Sequence, residues 1–256
     1  MNDSTTLPMP PSQWLLWAEP RAGLELATTL ALWPLLHLAP AGDGHAVLVL
    51  PGLAASDDST QLLRAYLQGR GYDVHGWGQG RNFGPRQGVS EAMFARLDRL
   101  HERSGRKVSL VGWSLGGVYA RLLAAGRPEA VRGVVTLGSP LVGNPRSSNA
   151  WRLYEASSGK RVDDPAALPG WRAPLRVPMT SIYSRSDGVV AWTSSRLPVD
   201  AQTENIEVPG SHTGLGVNAP ALLALADRLA LAEGQWKPFA GRRTLLWPFY
   251  PDAARP

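Results

Sequence analysis

The sequence predicts an α/β fold in which a mostly parallel central sheet carries helices on both faces. Three observations predict it. Short β-branched and aliphatic runs alternate with runs of helical length and pattern, as in sheets that are wound on both sides. A glycine-rich turn between a predicted strand and a predicted helix lies near the middle of the chain. The 256 residues are 44% hydrophobic, which is enough for the core of one large domain.

The composition excludes several classes of function. The chain has no cysteine, which rules out disulfides, thiolate catalysis and cysteine-ligated metals. The net charge of +5 rests mostly on arginines scattered in ones and twos, so we expect no nucleic-acid partner. We expect no metal and no other cofactor. The basic surface and the ten tryptophans do suit contact with an anionic lipid face.

The N-terminal segment, residues 1–40, contains an apolar stretch at 14–38. Residues 1–13 are polar and interrupted by prolines, so we expect no cleaved signal peptide. Glu25 and Pro34 interrupt the apolar stretch, which leaves it too short to span a bilayer comfortably. We therefore predict a helix that packs on the sheet or over the pocket. The alternative is an interfacial helix through which a cytoplasmic protein contacts a membrane surface.

Residues 41–234 form the predicted core. Six aliphatic runs are predicted strands, at 45–50, 72–76, 108–111, 131–137, 179–184 and 205–208. Helices are predicted at 59–68, 89–104, 115–125 and 219–231. Asp58 and Gln61 stand at capping-box spacing at the first of these helices. In such sheets ligands bind at the carboxyl ends of the strands, so we expect the functional site there.

Two segments depart from this alternation. Residues 138–178 contain Pro165, Pro169 and a short helical pattern at 150–156. We predict a lid-like insertion over the strand ends, after the fourth predicted strand; an ordinary long surface loop is the alternative. The C-terminal tail, 235–256, is too aromatic for a disordered end and is predicted to pack on the core.

The central turn carries the pattern G-x-S-x-G from Gly112 to Gly116, with Ser114 in its middle. A serine between a strand and a helix is forced into a strained backbone conformation that lifts its hydroxyl clear of the sheet. The glycines at 112, 116 and 117 let the helix pack closely beneath it. Ser114 is therefore the candidate nucleophile. In the alternative interpretation, the turn belongs to another kind of α/β protein and Ser114 only caps the helix.

A serine nucleophile needs a base, and that base needs an orienting acid. With a nucleophile elbow, the acid and then the histidine follow the serine along the chain. His212 is the only histidine after Ser114, and it lies in a glycine-flanked loop behind the last predicted strand. The other four histidines are expected at surface or structural positions: His37, His45, His75 and His101.

Asp187 is the candidate acid because it follows the predicted strand 179–184 directly. Between this carboxylate and His212 the chain makes only one short connection to the last predicted strand. As a competing interpretation, Asp187 and the glycine after it form an ordinary turn. The other candidate acids lie in the insertion or before the last strand: Asp163, Asp164 and Asp200.

The backbone supplies candidate donors for an oxyanion. Leu115 opens the helix after the nucleophile, where N–H groups are unpaired and the helix dipole is positive. The second donor should come from the loop after the first core strand, where Leu53 follows Gly52. We expect five residues at the substrate pocket: Gly52, Trp77, Asn82, Trp113 and Ser139. The glycine-rich loop 76–82 lacks the spacing of a dinucleotide-binding loop, so we expect no nucleotide there.

Five segments, in this order, resemble α/β-hydrolases of the lipase and esterase type: L-V-L-P-G-L, V-G-W-S-L-G-G, V-V-T-L-G-S-P, S-R-S-D-G-V-V and G-S-H-T-G. The resemblance runs from residue 45 to about residue 231 and implies the α/β-hydrolase fold. It also implies hydrolysis of an acyl ester by the serine, histidine and aspartate named above, with the two leucine amides at the oxyanion. The chain departs from the usual lipase pattern at Pro51, where many such enzymes have histidine, and this difference bears on the shape of the oxyanion loop.

The predicted function is therefore hydrolysis of a small-molecule or lipid ester with an apolar acyl group. An acyltransferase would use the same three residues but pass the acyl group to an alcohol other than water. A non-catalytic binding module on the same fold is the alternative from a different class. A dehalogenase is excluded because it would need a carboxylate at position 114, where this chain has serine. The sequence leaves the oligomeric state open.

Overall fold

The computed structural model describes residues 9–241 and 247–251. Its centre is a six-stranded sheet made of β1 (Ala46–Leu50), β2 (Asp73–Gly76), β3 (Val108–Trp113), β4 (Val131–Leu137), β5 (Met179–Tyr183) and β6 (Thr203–Glu207). The spatial order is β2-β1-β3-β4-β5-β6, and every neighbouring pair is parallel. The order reverses between β1 and β3, and that is where ligands bind in open α/β sheets.

All six predicted strands are present, each within two residues of its predicted bounds. β6 begins two residues earlier than predicted, and β3 ends two residues later, because it continues through Gly112 and Trp113. These two residues pair with Thr136 and Leu137 of β4, so the ladder persists up to the residue before Ser114. The predicted fold class, a parallel sheet with helices on both faces, is confirmed.

The helices are α1 (Gln13–Trp17), α2 (Ala22–Ala31), α3 (Trp33–Leu36), α4 (Gln61–Gly69), α5 (Val89–Ser104), α6 (Leu115–Gly126), α7 (Trp151–Ser158), α8 (Trp192–Ser195) and α9 (Ala219–Leu229). Alternating strand side chains divide the core into two layers. Val47 and Val49 of β1 pack in the layer that contains α3, α4 and α9. Leu48 and Leu50 pack in the opposite layer, with α5 and α6. Both faces of the sheet are therefore covered, as its uninterrupted aliphatic strands require.

The capping box expected at Asp58 and Gln61 does not form. A short 3-10 helix, Asp57–Thr60, precedes α4, and Ser56 caps it by accepting a hydrogen bond from the Asp58 N–H at 3.3 Å. Gln61 therefore becomes the first residue of α4 instead of the third residue after a cap. The preceding loop takes this path because the carboxylate of Asp57 accepts hydrogen bonds from the backbone of the glycine-rich loop after β2.

The apolar stretch at 14–38 forms three helices, α1 to α3, and a 3-10 turn (Glu19–Arg21) where a single helix was predicted. Pro20 and Pro34 each sit in the first turn of a new helical piece, because proline cannot donate the hydrogen bond that would continue the previous one. Among the described residues, the structure contains no helix that is both long and apolar enough to cross a membrane. Trp14 and Trp17 of α1 point outward and are 85% and 78% exposed.

The insertion and the tail both contact the core. Arg121 of α6 donates hydrogen bonds to the backbone oxygens of Trp171 and Ala173 in the insertion, each at 3.1 Å. In the tail, buried Tyr250 donates from its hydroxyl to the oxygen of Pro220 at 2.8 Å, and Phe239 packs edge-on against it. The remainder of the predicted tail, 242–246 and 252–256, lies outside the described residues.

Candidate active site

Ser114 lies between β3 and α6 in a strained conformation, with φ 54° and ψ −121°. Its side chain makes no capping hydrogen bond to α6, so the alternative of a simple helix cap has no support. A Cβ added at Gly112 or at Gly116 would collide with neighbouring backbone atoms. The sequence therefore forms this tight corner because glycines flank the serine, and the corner leaves the serine hydroxyl uncommitted.

Asp187 and His212 are brought together at the carboxyl ends of adjacent strands, β5 and β6. The Nδ1 atom of His212 lies 2.7 Å from Oδ2 of Asp187. The other carboxylate oxygen, Oδ1, accepts hydrogen bonds from the N–H groups of Val189 at 2.8 Å and Val190 at 2.7 Å. Two backbone donors thus fix the carboxylate through Oδ1. The other oxygen, Oδ2, sets the orientation of the imidazole.

The surroundings of His212 favour its protonated form. Burial disfavours the charged imidazole, but the carboxylates of Asp187 and Glu19 outweigh that effect and raise the pKa of His212 above its ordinary value. The same carboxylates would stabilise the imidazolium that forms when a histidine removes a proton from a serine.

The structure does not give Ser114 a hydrogen bond to His212. Within the described part of the chain, the Ser114 hydroxyl has no hydrogen-bond partner, a common situation before substrate tightens a catalytic site. The two loops are nevertheless joined, since the indole N–H of Trp113 donates to the oxygen of His212 at 3.1 Å. The roles of the three residues as nucleophile, base and acid stay predictions.

Gly138, which follows β4, lies against the acid and the histidine. A Cβ built on it would come within 3.0 Å of Asp187 Oδ2 and 3.1 Å of His212 Nδ1, and its φ of +55° also disfavours a side chain. Glycine at this position leaves the space that the Asp187–His212 hydrogen bond occupies.

The two predicted oxyanion donors border the same cavity as Ser114. Neither the Leu53 N–H nor the Leu115 N–H has an acceptor among the described residues, so both are free to bind an oxyanion. The Leu53 loop is held by Asn82, whose side chain donates to the oxygen of Pro51 at 2.8 Å. The backbone oxygen of Asn82 also accepts from the N–H of Ala54 at 2.6 Å. With proline at 51, this loop is therefore fixed by the asparagine of the glycine-rich loop.

The cavity has a volume of about 260 Å³ and a mostly apolar wall. Ser114, Leu53 and Leu115 form its floor, and the insertion supplies much of the remaining wall. The large apolar side chains of the insertion that line it are Val142, Trp151, Tyr154, Val162, Leu168 and Trp171. The predicted insertion over the strand ends is therefore the part of the chain that encloses the space above the nucleophile.

Comparison with known proteins tests the resemblance found in the sequence. No family model matches the chain. It is 29% identical over 182 residues to Serine hydrolase BPHL of Mus musculus, covering 65% of this chain and 58% of that protein. It is 33% identical over 67 residues to a pimeloyl-[acyl-carrier protein] methyl ester esterase of Yersinia pseudotuberculosis, covering 26% of this chain and 24% of that one. Among solved structures, Aspergillus fumigatus lipase B superposes with a TM-score of 0.58 at 19% identity, covering 76% of this chain and 54% of that chain.

The chain has the α/β-hydrolase fold. The resemblance inferred from the five sequence segments is thereby confirmed. The chain spans less than two thirds of the length of the curated relatives it matches, so their activities enter only as proposals for this chain.

The five residues predicted at the substrate pocket have other positions, because none of them is among the residues that line the cavity. Gly52 lies against the Ser114 side chain, where a Cβ would approach to 3.2 Å. Trp77 is buried and bonds to Gly80 in its own loop, and Asn82 holds the Leu53 loop. Trp113 packs beside the His212 loop, and Ser139 is fully buried against α6. Of these five residues, Asn82 and Trp113 hold the loops of the site through hydrogen bonds.

One residue close to the acid and the base was missed by sequence reasoning. Glu19 is 8% exposed and accepts a hydrogen bond from the His212 N–H at 2.9 Å. It stands 193 positions before the histidine, in a segment predicted only as an apolar helix. Its one signal in the sequence is an acid directly before a proline in an otherwise apolar stretch, which is too general to mark an active-site contact.

Proposed function

We propose that this α/β-hydrolase cleaves carboxylic esters with an apolar acyl group through Ser114, His212 and Asp187. The observation that carries the proposal is the strained serine at the floor of an apolar cavity, with a buried aspartate–histidine pair anchored to the adjacent tryptophan. Curated relatives named as a serine hydrolase and as a methyl ester esterase support the same class of reaction.

In the proposed mechanism, His212 removes the proton from the Ser114 hydroxyl as its oxygen attacks the ester carbonyl. Asp187 fixes the tautomer of the imidazole and stabilises the imidazolium. The Leu53 and Leu115 amides donate hydrogen bonds to the oxyanion, and one such donor contributes about 3 kcal/mol to stabilisation of the transition state. The alcohol leaves with the proton from His212, and a water activated by the same histidine then releases the acyl group from Ser114.

The proposed substrate is a small-molecule or lipid ester whose acyl chain occupies the cavity. Its tryptophan, leucine and valine walls offer apolar contact to a hydrocarbon chain. The exposed Trp14 and Trp17 of α1 are the observation that favours presentation of the ester at a lipid interface, because indole rings prefer that boundary.

The proposal is tested with p-nitrophenyl esters of increasing acyl length, assayed with and without lipid vesicles. We expect turnover that improves with acyl length until the cavity is filled, and no turnover by Ser114→Ala. A fluorophosphonate should label the wild-type chain at Ser114 and leave the variant unlabelled. Full esterase activity in Ser114→Ala, or a wild type that neither turns over any ester nor reacts with the probe, would overturn the proposal. Adding a competing alcohol identifies an acyltransferase by its transfer product.

A further inference from the structure

The loops that carry Asp187 and His212 are bridged by one carboxylate from the N-terminal segment. Oε1 of Glu19 accepts hydrogen bonds from the N–H of Gly188 at 2.8 Å and from the N–H of His212 at 2.9 Å. Its Oε2 accepts from the N–H of Thr213 at 2.8 Å and from the Thr213 hydroxyl at 2.7 Å. One side chain thus binds both the residue after the proposed acid and the proposed base itself.

Two further side chains of the same segment hold the flanking backbone. Arg21 donates to the oxygens of Ser186 and Gly210, one on each loop. Glu25 accepts from the N–H of Ser211 at 2.7 Å. Neither bonds to Asp187 or to His212, so the direct contact with the base comes from Glu19 alone among these three.

A buried carboxylate is costly unless donors satisfy it, and Glu19 has four. Burial raises its pKa, but the hydrogen bonds from Thr213, His212 and Gly188 outweigh burial and bring the pKa below the ordinary value. Glu19 is therefore negatively charged at neutral pH, close to the imidazole that becomes positive during the proposed reaction. An apolar residue at position 19 would fill the same space but would place no negative charge beside the imidazole.

We propose that Glu19 is a positioning residue of the active site, whose carboxylate holds the His212 loop against the Asp187 turn and stabilises the imidazolium form of His212. This inference rests on the proposed function. The charged groups facing His212 are Asp187, from the turn after β5, and Glu19, from the N-terminal segment. Arg21 and Glu25 face the backbone of the same loop at Gly210 and Ser211.

The test is Glu19→Gln, which keeps the size of the side chain and removes its charge. The amide nitrogen cannot accept, so at least one backbone N–H that donates to Glu19 loses its acceptor whichever way the amide points. We expect kcat to fall by about tenfold or more with little change in KM, because the histidine loses its position. We also expect the acidic limb of the activity profile to move to lower pH, because removing a nearby negative charge lowers the pKa of His212.

Glu25→Gln is the matched control. Glu25 belongs to the same segment, and its carboxylate bonds to the same loop at Ser211. It is not among the groups that shift the pKa of His212. Its acidic limb should stay where it is in the wild type. A merely structural role for Glu19 would lower activity in both variants and leave both limbs in place, and that result would overturn the proposal.

An activity-independent measurement separates this inference from the proposed function. The imidazole resonances of His212 are followed by NMR through a pH titration of the wild type and of Glu19→Gln. A lower His212 pKa in the variant supports the positioning role even if no ester is turned over. An unchanged pKa refutes it even if the wild type is an active esterase.

If Glu19→Gln does not fold, Thr213→Val tests the same contact in a milder form. It removes one of the four hydrogen bonds and keeps the carboxylate. We expect kcat to fall about threefold, the equivalent of part of one hydrogen bond, with the acidic limb unchanged. Wild-type kcat in this variant would count against the proposal.

Discussion

Ser114 and Ala54 are the only residues other than glycine with a positive φ in the described part of the chain, at 54° and 59°. Ser114 is the proposed nucleophile, and Ala54 follows the proposed oxyanion donor Leu53. Such conformations cost about 1–3 kcal/mol each and persist only where the surrounding structure enforces them. In this protein the hydrogen bond from Ala54 to Asn82 and the packed glycines around Ser114 do so. Backbone strain is therefore confined to the two loops that border the cavity.

This strain predicts a difference between two inactive variants at one position. Ser114→Gly relieves the strain, whereas Ser114→Ala keeps it. We expect the glycine variant to be more stable than the alanine variant by about 1 kcal/mol, since relief of strain exceeds the greater freedom of unfolded glycine. Urea denaturation of the two proteins measures the difference. A glycine variant that is less stable than the alanine variant would show that Ser114 is not strained in solution.

At the scale of elements, the helix α6 that follows Ser114 also holds the insertion that covers this serine. Arg121 of α6 bonds to the backbone of Trp171 and Ala173, and Trp171 lines the cavity. Burial lowers the pKa of Arg121, because among the described residues its hydrogen bonds are to neutral groups that do not offset the desolvation. One side chain therefore couples the position of α6 to the shape of the cavity.

We expect Arg121→Met to weaken binding of long acyl chains selectively. The change removes both hydrogen bonds to the insertion and keeps an apolar side chain of similar length. KM for a long-chain p-nitrophenyl ester should rise roughly five- to tenfold, by the loss of about one kcal/mol or more of hydrogen bonding, while kcat/KM for the acetate stays unchanged. The two substrates are compared in the same variant, so the acetate serves as the control for the long-chain ester. An equal loss on both esters would place the effect at the nucleophile instead.

The strands and most core helices could be predicted from sequence, but the N-terminal segment could not. A buried parallel strand is a continuous aliphatic run, and that pattern is local. The segment at 14–38 has an apolar pattern too, yet its hydrogen bonds go to loops about 170 to 190 residues later. Glu19 and Glu25 contact backbone N–H groups there, and a backbone donor leaves no trace in the sequence of its loop. The side-chain pair of Asp187 and His212 was predictable because chain order and strand ends both restrict it.

At the scale of the whole molecule, two sets of serine, histidine and aspartate lie at opposite ends of the sheet. In the second set, His45 bonds to Asp43 through Nδ1 and to Ser109 through Nε2, the latter at 2.8 Å. Ser109 is 3% exposed and lies in β3, where it pairs with β1 on one side and β4 on the other. It therefore has neither a strained turn nor room for a substrate. The same three residue types are structural at one end and proposed to be catalytic at the other, although a hydrogen bond between serine and histidine is present only in the second set. Chain order excluded His45 from the candidate site. That His45 is fully buried could be learned only from the structure.

This second set contributes to the dependence of stability on pH. Burial lowers the pKa of His45, and the positive charges of Arg132 and Arg106 act in the same direction against the pull of Asp43. Asp43 itself has a pKa well below its usual range: burial opposes this, but the hydrogen bonds from His45 and Arg132 outweigh it. In both cases the folded state binds fewer protons than the unfolded state, so stability falls as the pH falls. The raised pKa of His212 has the opposite sign, because its contribution is present on the acidic side and is lost as the pH rises through the folded value.

We therefore expect the unfolding free energy of the wild type to decline below about pH 6.5, the ordinary pKa of histidine, and to fall further where the carboxylates of Asp43 and Glu19 are protonated. His45→Gln keeps a hydrogen-bonding side chain and removes the titration. It should be less stable than the wild type near pH 8, since the buried contacts fit less well, and should lose less stability between about pH 7 and pH 5. Urea unfolding at a series of pH values measures both slopes. Because His212 contributes equally to the two proteins, an identical slope in the variant would show that His45 does not titrate differently on folding.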